Sequence, residues 1–220
     1  MIKIEHCDYI DFLGGIPQNS VDLIFTDPPY WTLNMHRNVG TTTRLKKQWF
    51  DTISSNDMYE LLEKCYAILK PNRHCLMMCD GQSVGEILQC ADEIFDYAKP
   101  VVWDKVVPGM GYHLRCQYEF IVLMDKGKNR IPKDRSVSDI IPMMRVMKPE
   151  YPTQKPVELV ELFIDLYTDP GELVVDPFVG SGTTACAAFN RGRKFAVGDK
   201  SKDAIDMTKR RLAEKGCILH

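Results

Sequence analysis

The stretch Leu173-Val174-Val175-Asp176-Pro177-Phe178-Val179-Gly180-Ser181-Gly182-Thr183-Thr184 passes from a short apolar run, through a glycine-bearing turn, into a segment of helical pattern. A β-branched run closed by proline reads as a buried strand, and strand, glycine turn and helix in that order are the unit of doubly wound sheets. Working outward, Phe195-Ala196-Val197 is predicted as the next strand, with a helix over 182–190 before it and a last helix running to Lys215. On the amino side a helix follows Pro156 as far as Tyr167. Earlier strand candidates are Val21 to Thr26, Cys75 to Cys79, Val101 to Trp103 and Phe120 to Met124. Between them lie a helix capped by Asn56 or Asp57 that ends near Leu69, and another over 84–95. Ile2-Lys3-Ile4-Glu5 alternates and brings the strands to seven. This alternation predicts an α/β fold: a mostly parallel seven-stranded sheet with helices on both faces.

A chain of 220 residues with 45% hydrophobic content buries one core, so a single domain over 1–220 is expected. Its net charge of −2 shows no overall basic footprint, and any phosphate-facing surface must be local. Two stretches break the regular pattern and are candidate insertions. Residues 31–50 carry Arg44, Lys46 and Lys47, and residues 125–152 carry four prolines. Within the latter, 125–148 holds seven basic residues against three acidic ones. The amino-terminal residues lack a signal-peptide core, and no apolar run approaches the roughly 18 residues of a membrane span. A soluble, cytoplasmic protein with no membrane partner is expected. The eight cysteines include no CxxC pair, and neither Cys75 with Cys79 nor His6 with Cys7 has zinc-site spacing. Reduced thiols and no metal are therefore expected.

The turn after Val175 lies where a doubly wound sheet binds an adenosine-containing ligand, and Gly180 and Gly182 let the backbone approach it. Helix-start amides beginning at Thr183 favour an anion, a carboxylate as well as a phosphate. The full dinucleotide fingerprint and the P-loop lysine are both missing. Asp199 ends the following strand 17 residues beyond Gly182, placed to accept from ribose hydroxyls or, more plainly, to cap the next helix.

At the end of the strand Val21 to Thr26 stands Asp27-Pro28-Pro29-Tyr30. An exocyclic amino group on a base is a poor nucleophile, because its lone pair is delocalised into the ring. The Asp27 carboxylate and the Pro28 carbonyl can accept its two hydrogens and hold the nitrogen pyramidal, and Pro28 and Pro29 stiffen the backbone. Tyr30 offers a face on which a flipped base can stack.

Together these motifs resemble the amino-methylating DNA methyltransferases of the β order, in which the DPPY motif comes first and the cofactor FxG motif last. Tyr30 precedes Asp176 by 146 residues, which is that permuted order. The resemblance implies a Rossmann-like methyltransferase fold, S-adenosyl-L-methionine as cofactor and double-stranded DNA as partner. Thr153-Gln154-Lys155-Pro156 is similar to the family's segment at the methionine end of the cofactor. By that likeness Thr153 and Lys155 approach the cofactor carboxylate, Asp176 its amino group, Phe178 the adenine region and Asp8 the adenine. Tyr151 stands where many relatives have histidine, and Asp199 where glutamate is commoner. No cysteine follows a proline, so carbon-5 chemistry on cytosine is not expected. Aspartate at the first motif position favours adenine N6 over cytosine N4. The insertions at 31–50 and 125–152 are the candidate DNA contacts, and a homodimer would extend their footprint. A DNA-binding regulator without turnover, and an RNA or small-molecule amine methyltransferase, are the rival readings.

Overall fold

Leu23 and Phe25 of strand β2 (Val21–Thr26) pack into one helical layer while Ile24 packs into the other, and all three are buried. A strand covered on both faces needs an unbroken apolar run, which is what distinguishes an interior parallel strand from a half-exposed one. In the computed structural model, which describes residues 2–29, 54–109, 114–128, 131–151 and 153–218, β2 lies fourth in an eight-stranded sheet. The others are β1 (Ile2–His6), β3 (Leu69–Cys79), β4 (Tyr97–Asp104), β5 (Tyr118–Lys126), β6 (Ile140–Pro142), β7 (Leu173–Asp176) and β8 (Lys194–Asp199). Their order is β1-β8-β7-β2-β3-β5-β4-β6, with only the β3–β5 and β5–β4 pairs antiparallel. Tyr30 and the 31–50 insertion lie outside the described residues.

Helices α1 (Tyr9–Gly14), α2 (Ser55–Ile68) and α3 (Val84–Ile94) cover one face through Phe12, Leu61, Leu62 and Ile87. Helices α4 (Val157–Tyr167), α5 (Thr183–Asn190) and α6 (Lys202–Glu214) cover the other through Leu159, Phe163, Ala185 and Leu212. Each of these side chains is no more than 3% exposed, so truncating one, Leu61 for example, removes about 2–5 kcal/mol of stability.

Three elements depart from the sequence expectation. The eighth strand, β6, arises inside the stretch expected to be irregular. It is three residues long, buries Ile141 and lies at the sheet edge, where Pro142 costs no interior ladder bond. Strand β3 starts at Leu69 and passes through Pro71, because its register with β2 shifts between the pairs Val21↔Leu69 and Leu23↔His74. The residues that slip past β2 include Pro71 and Asn72, whose φ is 60°. Helix α2 is capped by Ser54, not by Asn56 or Asp57. Asp57 completes a capping box, taking the Ser54 backbone N–H at 3.1 Å while its own N–H donates to Ser54 Oγ.

Candidate active site

Strands β2 and β7 are hydrogen-bonded neighbours from which the chain departs in opposite directions, β2 through α2 to β3 and β7 through α5 to β8. The crevice at their carboxyl ends is the topological switch point, where open α/β sheets bind ligands. Here it opens into a cavity of about 970 Å³. That is near the upper end of the ~300–1,000 Å³ usual for small-molecule sites.

One wall is built by β7, its turn and β8. Asp176 is 3% exposed and accepts from Thr26 Oγ1 at 2.8 Å and from the Phe178 N–H at 3.0 Å. Burial pushes its carboxyl up to about 7 against the pull of those hydrogen bonds and Thr184, and the charge of Asp27 adds to the rise. Gly180, with φ 49°, donates its N–H to Asp199 Oδ2 at 2.9 Å, while Ser201 N–H reaches Asp199 Oδ1 at 2.8 Å. Asp199 thus fastens the glycine turn to the start of α6 and also lines the cavity. Burial raises its carboxyl, and those amides with His6 counter it. Thr183, the first residue of α5, lines the cavity and donates to the Lys155 carbonyl at 3.3 Å.

Gly182 also has a packing duty that was not read in the sequence. Its φ is 83°, and a Cβ there would meet Thr208 of α6 at 2.8–3.1 Å, while the cavity wall does not include it. The close approach that it permits here is between the start of α5 and Thr208 of α6.

A second wall is aromatic and acidic. Tyr9 and Phe178 stand 5.2 Å apart with rings tilted by 34°. Asp8, beside them, caps α1 by accepting from the Ile10 N–H at 3.0 Å, and both Asp8 and Ile10 face the cavity. Tyr151 lies over the turn, its Cε1 3.6 Å from where a Gly180 Cβ would be. Burial pushes the Tyr151 hydroxyl up to about 12, helped by Asp199, Asp27 and Asp203, so it remains a donor. Thr153 lines the cavity next to it.

The third wall begins where Asp27, Pro28 and Pro29 leave β2. Lys155 Nζ lies 2.5 Å from Asp27 Oδ2 and 3.2 Å from Glu119 Oε2. Glu119 in turn pairs with Lys105 at 2.7 Å. Burial disfavours the Lys155 charge, but Asp27 and Glu119 outweigh it and hold the ammonium above its ordinary range. Glu119 is pushed up by burial and pulled down further by Lys155 and Lys105, so it stays ionised. β5 is antiparallel to β3, and this brings its first residues, Glu119 among them, to the carboxyl end of the parallel strands.

The cavity therefore gathers Asp8, Asp27, Pro28, Pro29, Thr153, Lys155, Asp176, Phe178, Gly180, Thr183 and Asp199, while Gly182 braces it from behind. Lys155, which the family likeness aims at a cofactor carboxylate, has its ammonium on Asp27 and Glu119. Tyr9, Lys105 and Glu119 were not picked out from the sequence. Only the position of Glu119 at the start of an apolar run hinted at a strand-end acid. Among the described residues no cluster of His, Cys, Asp and Glu could hold a metal ion, and no helix is long and apolar enough to cross a membrane.

A family model described as DNA methylase matches residues 21–210. The DNA adenine methyltransferase YhdJ of Escherichia coli (strain K12) is 30% identical over 247 residues, spanning 95% of this chain and 82% of that protein. The crystal structure of an M1.HpyAVI-SAM complex superposes with a TM-score of 0.71 at 24% identity, covering 96% of this chain and all of the other. The cytosine-N4-specific PvuII DNA methyltransferase does so with 0.71 at 16% identity, covering 94% and 85%, and both likenesses show the fold. The matched region runs from the first residue of β2 into α6, taking in both Asp27 and the wall from Asp176 to Asp199, and the chain belongs to the DNA methylase family, S-adenosylmethionine-dependent enzymes that methylate exocyclic amino groups of DNA bases.

Proposed function

We propose that this chain methylates N6 of adenine in double-stranded DNA. The observation that carries the reading is Asp27, a carboxylate at the carboxyl end of β2 on the wall of a cavity also lined by Tyr9, Phe178, Asp176 and Asp199. S-adenosylmethionine fits the residues present: the buried Asp176 carboxyl suits an ammonium, the Tyr9 and Phe178 rings suit a purine, and Asp199 suits ribose hydroxyls. Bound there, it supplies a methyl group activated by a sulfonium. The protein's own part is to prepare the nucleophile. Asp27 and the Pro28 carbonyl accept the two amino hydrogens, localise the lone pair and leave Asp27 to take the proton that the methylated nitrogen sheds. Tyr30, outside the described residues, is assigned to stack on the flipped base. Aspartate at the first motif position and the adenine named for the Escherichia coli relative both favour adenine.

The candidate DNA-contacting insertion at 125–152 divides in two. Lys126 is spent on the carbonyls of Tyr66 and Leu69, each at 2.7 Å, and Lys133 on Thr168 and Asp169, all beyond the far ends of the parallel strands. After β6, which runs parallel to β4, the chain returns to the cavity end, so Arg145 and Lys148 are assigned to phosphate contact.

The test is incubation with methyl-labelled cofactor and duplex DNA, followed by nucleoside identification. N6-methyladenine is expected. N4-methylcytosine would move the reading to the other base, and 5-methylcytosine, label in RNA alone or no transfer would refute it.

A further inference from the structure

Four charges alternate along the third wall: Lys105, Glu119, Lys155 and Asp27, joined at 2.7, 3.2 and 2.5 Å. Glu119 holds the middle of this row, with Oε1 on Lys105 and Oε2 on Lys155. Its Oε2 is buried and faces Lys155 at 3.2 Å, and no other group among the described residues bonds to it. A buried carboxylate oxygen normally has a full set of partners, and this one, on the cavity wall, relies on the Lys155 cation alone. An ammonium given only Asp27 would settle on that carboxylate and compete with a substrate amino group for its oxygens. Glu119 gives Lys155 a second carboxylate and so weakens its hold on Asp27, while Lys105 balances the charge of Glu119.

We propose that Glu119 is a positioning residue for methyl transfer, sharing Lys155 with Asp27 so that Asp27 stays ionised yet able to receive the amino group. The proposal rests on the reading of Asp27 given above. Glu119 lines the same cavity and acts through Lys155.

The test is a double-mutant cycle on the full chain with Glu119→Gln and Lys155→Met, each first checked for wild-type circular dichroism and thermal unfolding. Glu119→Gln is expected to lower kcat at least about ten-fold while KM for DNA and for cofactor stays within about two-fold. In the Lys155→Met background, the same change should alter kcat by less than about two-fold, because its intermediary is gone. A kcat within about two-fold of wild type for Glu119→Gln overturns the proposal, as does a full repeat of its loss on Lys155→Met. If Glu119→Gln alone does not fold, Glu119→Gln with Lys105→Met, which removes the stranded cation, takes its place and must show the same fall. Asp27→Ala, run beside them, separates the two ideas: it is expected to abolish transfer while cofactor affinity measured by calorimetry holds. Turnover in Asp27→Ala overturns the reading of Asp27 and the proposal with it, whereas a dead Asp27→Ala beside an unchanged Glu119→Gln overturns the proposal alone.

Discussion

Asp176 is a carboxyl that the fold binds at the cost of its charge. With its folded value raised to about 7, it takes up a proton more readily in the folded protein than in the unfolded chain. The folded state therefore holds the extra proton between about pH 4 and pH 7, and the contribution of this group to stability is largest at the acid end and falls as pH rises through that window. Asp176→Asn should flatten that fall. Urea unfolding at pH 5 and pH 8 is expected to show a smaller loss for the variant than for wild type, and an equal loss would contradict the shift. Asp199 has a double load of which its sequence position reveals only the bond at the start of α6: one oxygen holds the Ser201 amide there, and the other holds the Gly180 amide. Asp199→Ala should weaken cofactor affinity by calorimetry and also cost roughly 1–3 kcal/mol of stability from the orphaned Gly180 and Ser201 amides. A loss of affinity with no loss of stability would mean that other groups satisfy those amides.

At the scale of elements, the strand-turn-helix unit around β7 and α5 was legible because prolines, glycines and a β-branched run each dictate backbone geometry locally. The role of Gly182 was not, since its reason is Thr208, a residue on another helix. Gly182→Ala would place a Cβ at 2.8–3.1 Å from Thr208 at a φ of 83°, and it should lower stability by about 1–3 kcal/mol in chemical denaturation. A neutral effect would show that α6 can yield. Strand β6 was equally hidden: three residues beside a proline carry no periodicity, and only the exposed edge of β4 makes them a strand. Glu119 belongs with them. That an acid on β5 faces a lysine that precedes α4 follows from strand order, which no local pattern encodes.

For the whole molecule, the electrostatic reading of Arg145 and Lys148 becomes a measurement of salt dependence. Withdrawing one basic side chain from a phosphate should reduce the slope of log K against log salt by about 1, so Arg145→Ala with Lys148→Ala should lower it by about 2. Lys133→Ala, at the far end of the sheet, should leave the slope unchanged. Equal effects would mean that DNA wraps more of the surface than the cavity end.

Strand order also sets a schedule. β1 pairs only with β8, and β2 meets β7 after 146 intervening residues, Thr26 being bonded to Asp176 across that span. During synthesis Asp27 emerges well before the wall proposed to hold the donor. A nascent chain can carry the whole of β2 to β5 and still have nowhere to place a methyl group beside a base. A chain cut short before β7 loses β7 and β8 together, which strips β1 of its neighbour β8 and leaves β2 with an open edge, so it is expected to be inert instead of partly active.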